Sequence, residues 1–278
     1  MEAGRLREPL APRRVPTIAA VLPARNEAAT VADVVAACRA CAYTEEVIVV
    51  DDASSDDTAA RAAAAGARVL RRDAPTGSKA HAMALGVEAA KADAILFCDA
   101  DCTGLAPAHL DAICEPLVSG RAVMSIGWFD YGWLNPVVCR FPPTTGERVL
   151  PRWVWDAVPE SKRQGYSIEI MINEVVAEAR LPVVARTMTG VSHRTKRDKL
   201  GRRRGLRETW RMFWHLVGLP FRRVVRWRTY WFYLRDLTVD PPAPPGPGEP
   251  GATPAPLDGR GPSPGAVAPR GPRRGRRR

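Results

Sequence analysis

Two spacings of apolar residues alternate along the first 120 positions. TIAAVLPA (17–24), EEVIVVDD (45–52), ARVLRR (67–72) and AILFCDAD (94–101) are short, nearly continuous apolar runs, the pattern of buried strands. Between them, ATVADVVAACRACA (29–42), SSDDTAARAAAAGA (54–67), GSKAHAMALGVEAAKA (77–92) and APAHLDAICEPLVS (106–119) repeat apolar residues at helical spacing. Ser54 or Ser55, ahead of Asp56 and Asp57, suits the start of the second helix, where acids meet the positive end of the helix dipole. Strict strand–helix alternation predicts an α/β fold, a mostly parallel sheet with helices on both faces. Ligands of such sheets bind beyond the carboxyl ends of the strands. Three predicted strands end there in polar clusters: Pro23 to Glu27, Asp51 to Ser54, and Asp99 to Asp101.

The second half is less regular. RAVMSIGWFDYG (121–132) starts as a strand, FPPTTGERVLPRW (141–153) reads as a loop, and YSIEIMINEVVAEARL (166–181) as a helix. LPVVARTMTGVSHRT (181–195) predicts a strand with a polar end, and 206–237 is helical with a break at Pro220. From Pro241 onward, 12 Pro and 8 Gly in 38 residues leave too little apolar surface to offset ordering entropy, so 241–278 is expected to be disordered. Residues 1–15 read as a flexible N-terminus, 16–205 as the folded α/β domain and 206–240 as basic, aromatic amphipathic helices.

Charge sharpens this division. Residues 1–193 carry 20 Lys and Arg against 24 Asp and Glu, whereas 194–235 carry 14 against 2, within a chain of net charge +11. An acidic body followed by a basic segment with interleaved Trp and Tyr has the composition of an interfacial helix on anionic lipid, or of an amphipathic helix packed on the sheet. No apolar run approaches the ~20 residues that span a bilayer. The first residues contain no apolar signal core. Six Cys in 278 residues do not make a disulfide framework, and Cys98 and Cys102 read as buried small hydrophobes. The expectation is a cytoplasmic protein with peripheral contact at the inner face of the plasma membrane. A homodimer is left open.

The Asp99–Ala100–Asp101 triplet places two carboxylates at one strand end, where they suit a hard divalent cation such as Mg²⁺ or Mn²⁺. VLPARNEAATVADVV (21–35), VIVVDDASSDDT (47–58), GSKAHAMALGVEAAKADAILFCDAD (77–101) and GYSIEI (165–170) resemble, in order and spacing, the family 2 glycosyltransferases. The resemblance covers about 17–195 and implies the GT-A (Rossmann-like) fold and a nucleoside-diphosphate sugar donor, UDP or GDP. It implies that Pro23, Ala24, Arg25 and Glu27 line the first nucleotide-contacting loop. By the same resemblance Asp52, with Asp51 beside it, meets the base, and Lys79 lies near the nucleotide or its phosphates. Asp99 and Asp101 match the DxD motif, with Asp101 the metal ligand and His193 completing the site. Glu169 occupies the position of an acid that faces the acceptor; it could act as base, orient a hydroxyl or support the metal. The ED pair common in inverting members is absent. Thr145, Gly146 and Arg148 match an acceptor loop in position, and Arg suits a phosphate because its planar fork meets two oxygens. His81, His109 and His215 read as structural, and Glu174 as a surface residue.

Similar segments occur in polyprenyl-phosphate sugar transferases and in glucosyl-3-phosphoglycerate synthases. The leading expectation is transfer of a sugar to a membrane-surface polyprenyl phosphate, as in the first; the alternative is a soluble phosphorylated acceptor, as in the second. A sugar-nucleotide nucleotidyltransferase is disfavoured because LPARNE stands in place of a Gly-rich LxAGxGxR loop. A non-enzymatic membrane or nucleic-acid binder would leave the acids at three strand ends without a role, and no nucleic acid is expected.

Overall fold

The computed structural model describes residues 15–75, 77–135, 144–163, 168–193 and 226–240. The expectations for 1–14, for most of the basic stretch 194–225 and for the tail from 241 lie outside the described residues.

Strands β1 (Ile18–Ala24), β2 (Thr44–Asp51), β3 (Arg68–Arg71) and β4 (Ala94–Phe97) run parallel, with helices α1 (Val31–Ala40), α2 (Thr58–Ala64) and α3 (Lys79–Ala89) between them. A short strand β5 (Cys102–Thr103) precedes α4 (Pro107–Val118) and β6 (Met124–Phe129). Then come β7 (Arg148–Pro151), α5 (Arg152–Asp156), α6 (Ile168–Glu178), β8 (Val183–Met188), β9 (Ser192–His193), α7 (Trp227–Asp236) and β10 (Leu237–Asp240). The eight-stranded sheet has the order β10-β8-β6-β7-β4-β1-β2-β3, and β5 pairs with β9 in a separate antiparallel ribbon.

The apolar runs arise because both faces of the sheet are covered. Along β1, Ala19 and Val21 face one core with Met83 and Val87 of α3 and Ile172 of α6. Ile18, Ala20 and Leu22 face the other, with Val34 and Val35 of α1 and Leu110 and Ile113 of α4. Alternate residues thus enter opposite cores, so no position along the strand can be polar. Gly86 lets α3 approach β1 closely; a Cβ there would stand 2.3 Å from Val21 Cγ1.

Four readings need correction. First, 141–153 is not all loop: β7 lies inside the sheet, antiparallel to both neighbours, with Phe97 opposite Arg148 and Ile126 opposite Arg148 on the other side. Four residues ending in Pro, where the chain turns directly into α5, are too few to show a period. Second, α2 starts at Thr58 rather than near Ser54. Ser54 and Asp56 are used instead to tie two loops together, as described below. Third, the strand 94–101 stops at Phe97, and the acids that follow it sit in a turn.

Fourth, the stretch read as helices to 240 is helical, among the described residues, only over Trp227–Asp236. Leu237–Asp240 is a parallel edge strand, Leu237 opposite Val183 and Asp240 opposite Arg186. Asp240 accepts from Arg121 Nη1 (2.7 Å) and pairs with Arg186 Nη1 (3.1 Å), while Glu115 pairs with the other nitrogen of each arginine at 2.9 Å. This closed ring of two arginines and two acids fastens β10 to β8 and α4. Asp240→Ala would leave two guanidinium groups half-paired and should cost about 2 kcal/mol. The expected result is a lower denaturation midpoint with an unchanged slope in urea.

Candidate active site

The carboxyl edge of β1, β2 and β4 is built from loops bonded to each other. Asp52 N–H donates to the Ala24 carbonyl (2.9 Å). Asn26 N–H donates to Ser54 Oγ (2.9 Å), and Ser55 N–H to Asn26 Oδ1 (2.8 Å). Glu27 N–H donates to Thr58 Oγ1 (2.8 Å), and Ala28 N–H to Asp56 (3.2 Å). Asn26 and Ala53 hold left-handed backbone at φ 58° and 57°. For Ala53, with no polar side chain to favour that conformation, this costs about 1–2 kcal/mol, a strain of the kind found at ligand-binding loops. Pro23, Ala24, Arg25, Glu27, Asp51 and Asp52 are therefore gathered at one edge. They differ in access: Arg25 is exposed, Pro23 and Glu27 half-buried, Ala24 and Asp52 buried. Asp51 is fully buried, accepts from Ser54 N–H (3.1 Å) and faces Arg71 (3.7 Å), so it shapes the loop. Asp52 faces Arg72 Nε at 3.6 Å.

Beyond β4, Thr30 Oγ1 donates to the Ala100 carbonyl (2.7 Å), joining the β1 loop to the acidic turn. Asp101 Oδ1 lies 3.1 Å from His193 Nδ1, as the β5–β9 pairing sets Cys102 opposite His193. The Phe129 ring packs on the imidazole, centroids 4.3 Å apart. Donor atoms of Asp101, Cys102 and His193 lie within 4.8 Å of one another, as do those of Asp99, Glu147 and His193. Burial alone would lower the His193 pKa, but the hydrogen bond with Asp101 and the charges of Glu147, Asp99 and Asp101 raise it to about 9. Cys102 is no thiolate: burial and the Glu147 charge push its pKa far up, and its thiol donates to Glu147 Oε1 at 3.0 Å. Carboxylate oxygens and an imidazole suit Mg²⁺ or Mn²⁺.

Lys79, at the start of α3, reaches Asp99 Oδ1 at 2.5 Å and Glu169 Oε1 at 2.9 Å. Burial would lower its pKa, but those two carboxylates raise it, so it is an ammonium. Glu169 is 3% exposed and committed to this ion pair.

The acceptor-loop reading needs revision. Arg148 is fully buried; its guanidinium donates to the Thr145 carbonyl (2.6 and 3.1 Å), the Glu169 carbonyl (3.1 Å) and Asn173 Oδ1 (3.1 Å). It is a strut between the loop and α6 and is spent as a phosphate ligand. Thr145 donates its hydroxyl to Glu147, and Gly146 packs so tightly on Asp99 that a Cβ would stand 2.3 Å from its carboxylate. Glu174 is not a surface residue either: it is 9% exposed and accepts from Thr229 Oγ1 (3.4 Å), anchoring α7. Cys98, Cys102 and His109 are buried as read, His109 Nδ1 accepting from Ala106 N–H at 3.1 Å.

Glu147 was not foreseen. It is fully buried, faces the acidic turn and lies one residue before β7. Taking RVLP as a strand antiparallel to β4 would have found it, since that register sets Arg148 opposite Phe97.

Residues 19–156 match the family model described as glycosyl transferase family 2. This region is a family 2 glycosyltransferase domain. Solved structures of glucosyl-3-phosphoglycerate synthase from Mycobacterium tuberculosis are similar to this glycosyltransferase. The complex with Mn²⁺, UDP-glucose and phosphoglyceric acid is 26% identical, with a TM-score of 0.55 over 64% of this chain and 72% of that one. The complex with Mg²⁺ and UDP is 25% identical, with a TM-score of 0.54 over the same shares. Among curated proteins, none matches the sequence. The sheet has the GT-A arrangement, and the complexes of the similar synthase hold Mn²⁺ or Mg²⁺; here the two groups Asp101, Cys102, His193 and Asp99, Glu147, His193 bring together donor atoms that could hold such a cation.

A cation bound through His193 must expel the proton held by an imidazole of pKa about 9. Calorimetry of Mn²⁺ binding at pH 7.5, in two buffers of different ionisation enthalpy, should register release of about one proton. No release would remove His193 from the ligand set.

Proposed function

We propose that this glycosyltransferase moves a hexosyl group from a UDP-sugar to a phosphate-bearing acceptor. The observation that carries the reading is the Lys79–Glu169 ion pair beside Asp99, Asp101 and His193. A carboxylate already bonded to an ammonium, and almost fully buried, is poorly placed to take a proton from an acceptor hydroxyl. An acceptor whose phosphate oxygen itself attacks the sugar is ionised near neutral pH and needs no base. Complexes of the similar synthase contain UDP-glucose and phosphoglyceric acid, which supports a UDP-sugar donor and an acceptor that carries a phosphate.

The roles follow from placement. The loops after β1 and β2 receive the nucleoside, with Asp52 at the base and Arg25, exposed at the edge, near the phosphates. A divalent cation on Asp101 and His193 would stabilise the charge of the departing diphosphate. Lys79 holds Asp99 and Glu169 in place, so the site needs no rearrangement of its carboxylates as charge develops. With Arg148 spent inside the fold, the acceptor meets the backbone around Thr145 and Gly146.

Thermal-shift titration should show stabilisation by UDP-sugars in Mn²⁺ and none by GDP-sugars. Asp101→Asn should weaken Mn²⁺-dependent UDP-glucose binding by more than about 100-fold, since even outer partners of a metal site are worth 10–100-fold. Unchanged affinity would reject the cation assignment.

A second reading places the acceptor phosphate on a polyprenyl chain at a membrane. Tyr131 and Trp133, 50% and 85% exposed, stand on a turn at the carboxyl end of β6, beside the site. Asp130 accepts from Gly132 N–H and Asn135 Nδ2, and Asn135 Oδ1 accepts from Tyr131 N–H, each at 2.8 Å. A built turn that displays Trp and Tyr suits the interfacial zone of a bilayer. No helix among the described residues is long and apolar enough to cross a membrane. On this reading wild-type protein sediments with anionic liposomes and Trp133→Ser sediments several-fold less. Equal sedimentation, or none by wild type, would leave the soluble acceptor.

A further inference from the structure

Glu147 has no part in the roles above, yet it is the most enclosed carboxylate of the site. It is fully buried, whereas the Asp101 and His193 side chains are 25% and 37% exposed. Its oxygens are taken by donors of the chain. Oε1 accepts from Asp99 N–H (3.3 Å) and from the Cys102 thiol (3.0 Å), and Oε2 accepts the Thr145 hydroxyl. The Asp99 and Cys102 donors bracket the Asp99–Asp101 turn. Thr145 belongs to the loop on the other side of the site, and the Gly127 N–H to Glu147 carbonyl bond (2.7 Å) fixes the backbone to β6.

We propose that Glu147 is a positioning residue for the cation site: it clamps the acidic turn and the Thr145–Gly146 loop in one geometry and is not itself a cation ligand. The proposal rests on the reading of Asp101 and His193 as the cation site. A cation arriving from solvent meets Asp101 and His193 first, while Glu147 could reach it only by surrendering three hydrogen bonds in a buried setting. Surrender would leave the Asp99 N–H and the Thr145 hydroxyl unpaired, a cost comparable to the hydrogen bonds themselves. Asp101 is thus aimed at the cation because Asp99 and Cys102, on either side of it, are both held by one carboxylate.

Two conservative variants separate position from charge. Glu147→Gln removes the charge but keeps length: its carbonyl oxygen can still accept from Asp99 and Cys102, and Thr145 Oγ1 can turn to accept from its amide. Glu147→Asp keeps the charge but is one methylene shorter, so it cannot span both sides. Free Mn²⁺ is read by electron paramagnetic resonance during titration of the full chain, with melting temperatures alongside. The proposal expects Glu147→Gln to bind Mn²⁺ within about threefold of wild type and Glu147→Asp about 10–100-fold more weakly. The reverse order would make Glu147 a ligand or a charge donor and overturn the proposal. Wild-type affinity in both variants, with lower melting temperatures only, would reduce Glu147 to a structural residue and overturn it equally. Wild-type protein that binds no Mn²⁺ would overturn the cation reading first, and this proposal with it.

Discussion

The structure depends on a concentration of negative charge at the carboxyl end of β4. Asp99, Asp101, Glu147 and Glu169 converge there from three separate segments of the chain, and two of the four are almost wholly shielded from water. Carboxylates gathered in such a setting persist only if cations or donors compensate them. Lys79 compensates Asp99 and Glu169, the protonated His193 compensates Asp101, and Glu147 is served by neutral donors. The ammonium sits at the first residue of α3, where the helix dipole disfavours positive charge by about 0.3–1 kcal/mol. Two short ion pairs outweigh that cost, which explains why a lysine tolerates the position.

The same constraint decides what the site does when a cation enters. Lys79 is bonded to the half of the cluster that includes Asp99, and on the proposed reading the half left for an incoming ion is Asp101 with His193. With the His193 pKa raised, against burial, by its acidic neighbours, its proton acts on that reading as a stand-in of single charge, and exchanging it for a divalent ion changes the local balance by one unit. On the proposed reading, chemistry at this edge relies on fixed charges and on an acceptor phosphate that arrives ionised, rather than on a carboxylate that gains and loses a proton.

Much of this was legible in the sequence because parallel strands buried on both faces leave continuous apolar runs, and each run marks its own carboxyl end. Pro23 to Glu27, Asp51 and Asp52, and Asp99 to Asp101 could be set at one edge on that ground alone. His193 was placed at the site only by the family resemblance, the strand pattern marking no more than a polar strand end there. What escaped was carried by pieces too short to have a period. β7 is four residues long and β10 is four, and both owe their place to pairing with distant strands rather than to local preference. With β7 unrecognised, Glu147 had no address, and Arg148 looked like an exposed phosphate ligand when its whole side chain is interior. Glu174 escaped for the same reason, since its burial is due to α7, about fifty residues later in the chain.

The basic C-terminal segment takes on a different meaning once its last part is placed. Asp236 leads directly into Leu237, which pairs with Val183 at the start of β8, so α7 ends at the amino edge of the sheet. Its first residues lie against the far end of α6: Arg226 is bonded to Glu178 and faces Glu174 at 3.9 Å. The helix begins its course nearly a full α6 length from Glu169, roughly 15 Å at 1.5 Å per residue. Of the positive charge counted in the sequence, Arg226 is thus paired with acids of α6 at the edge of the sheet away from the reacting groups. A surface that presented α7 to lipid would turn the carboxyl edge toward water, whereas a surface that presented Tyr131 and Trp133 would bring it to the bilayer. The aromatic turn, not the described basic helix, is where contact with a membrane-borne acceptor is consistent with the direction in which the strands deliver the site.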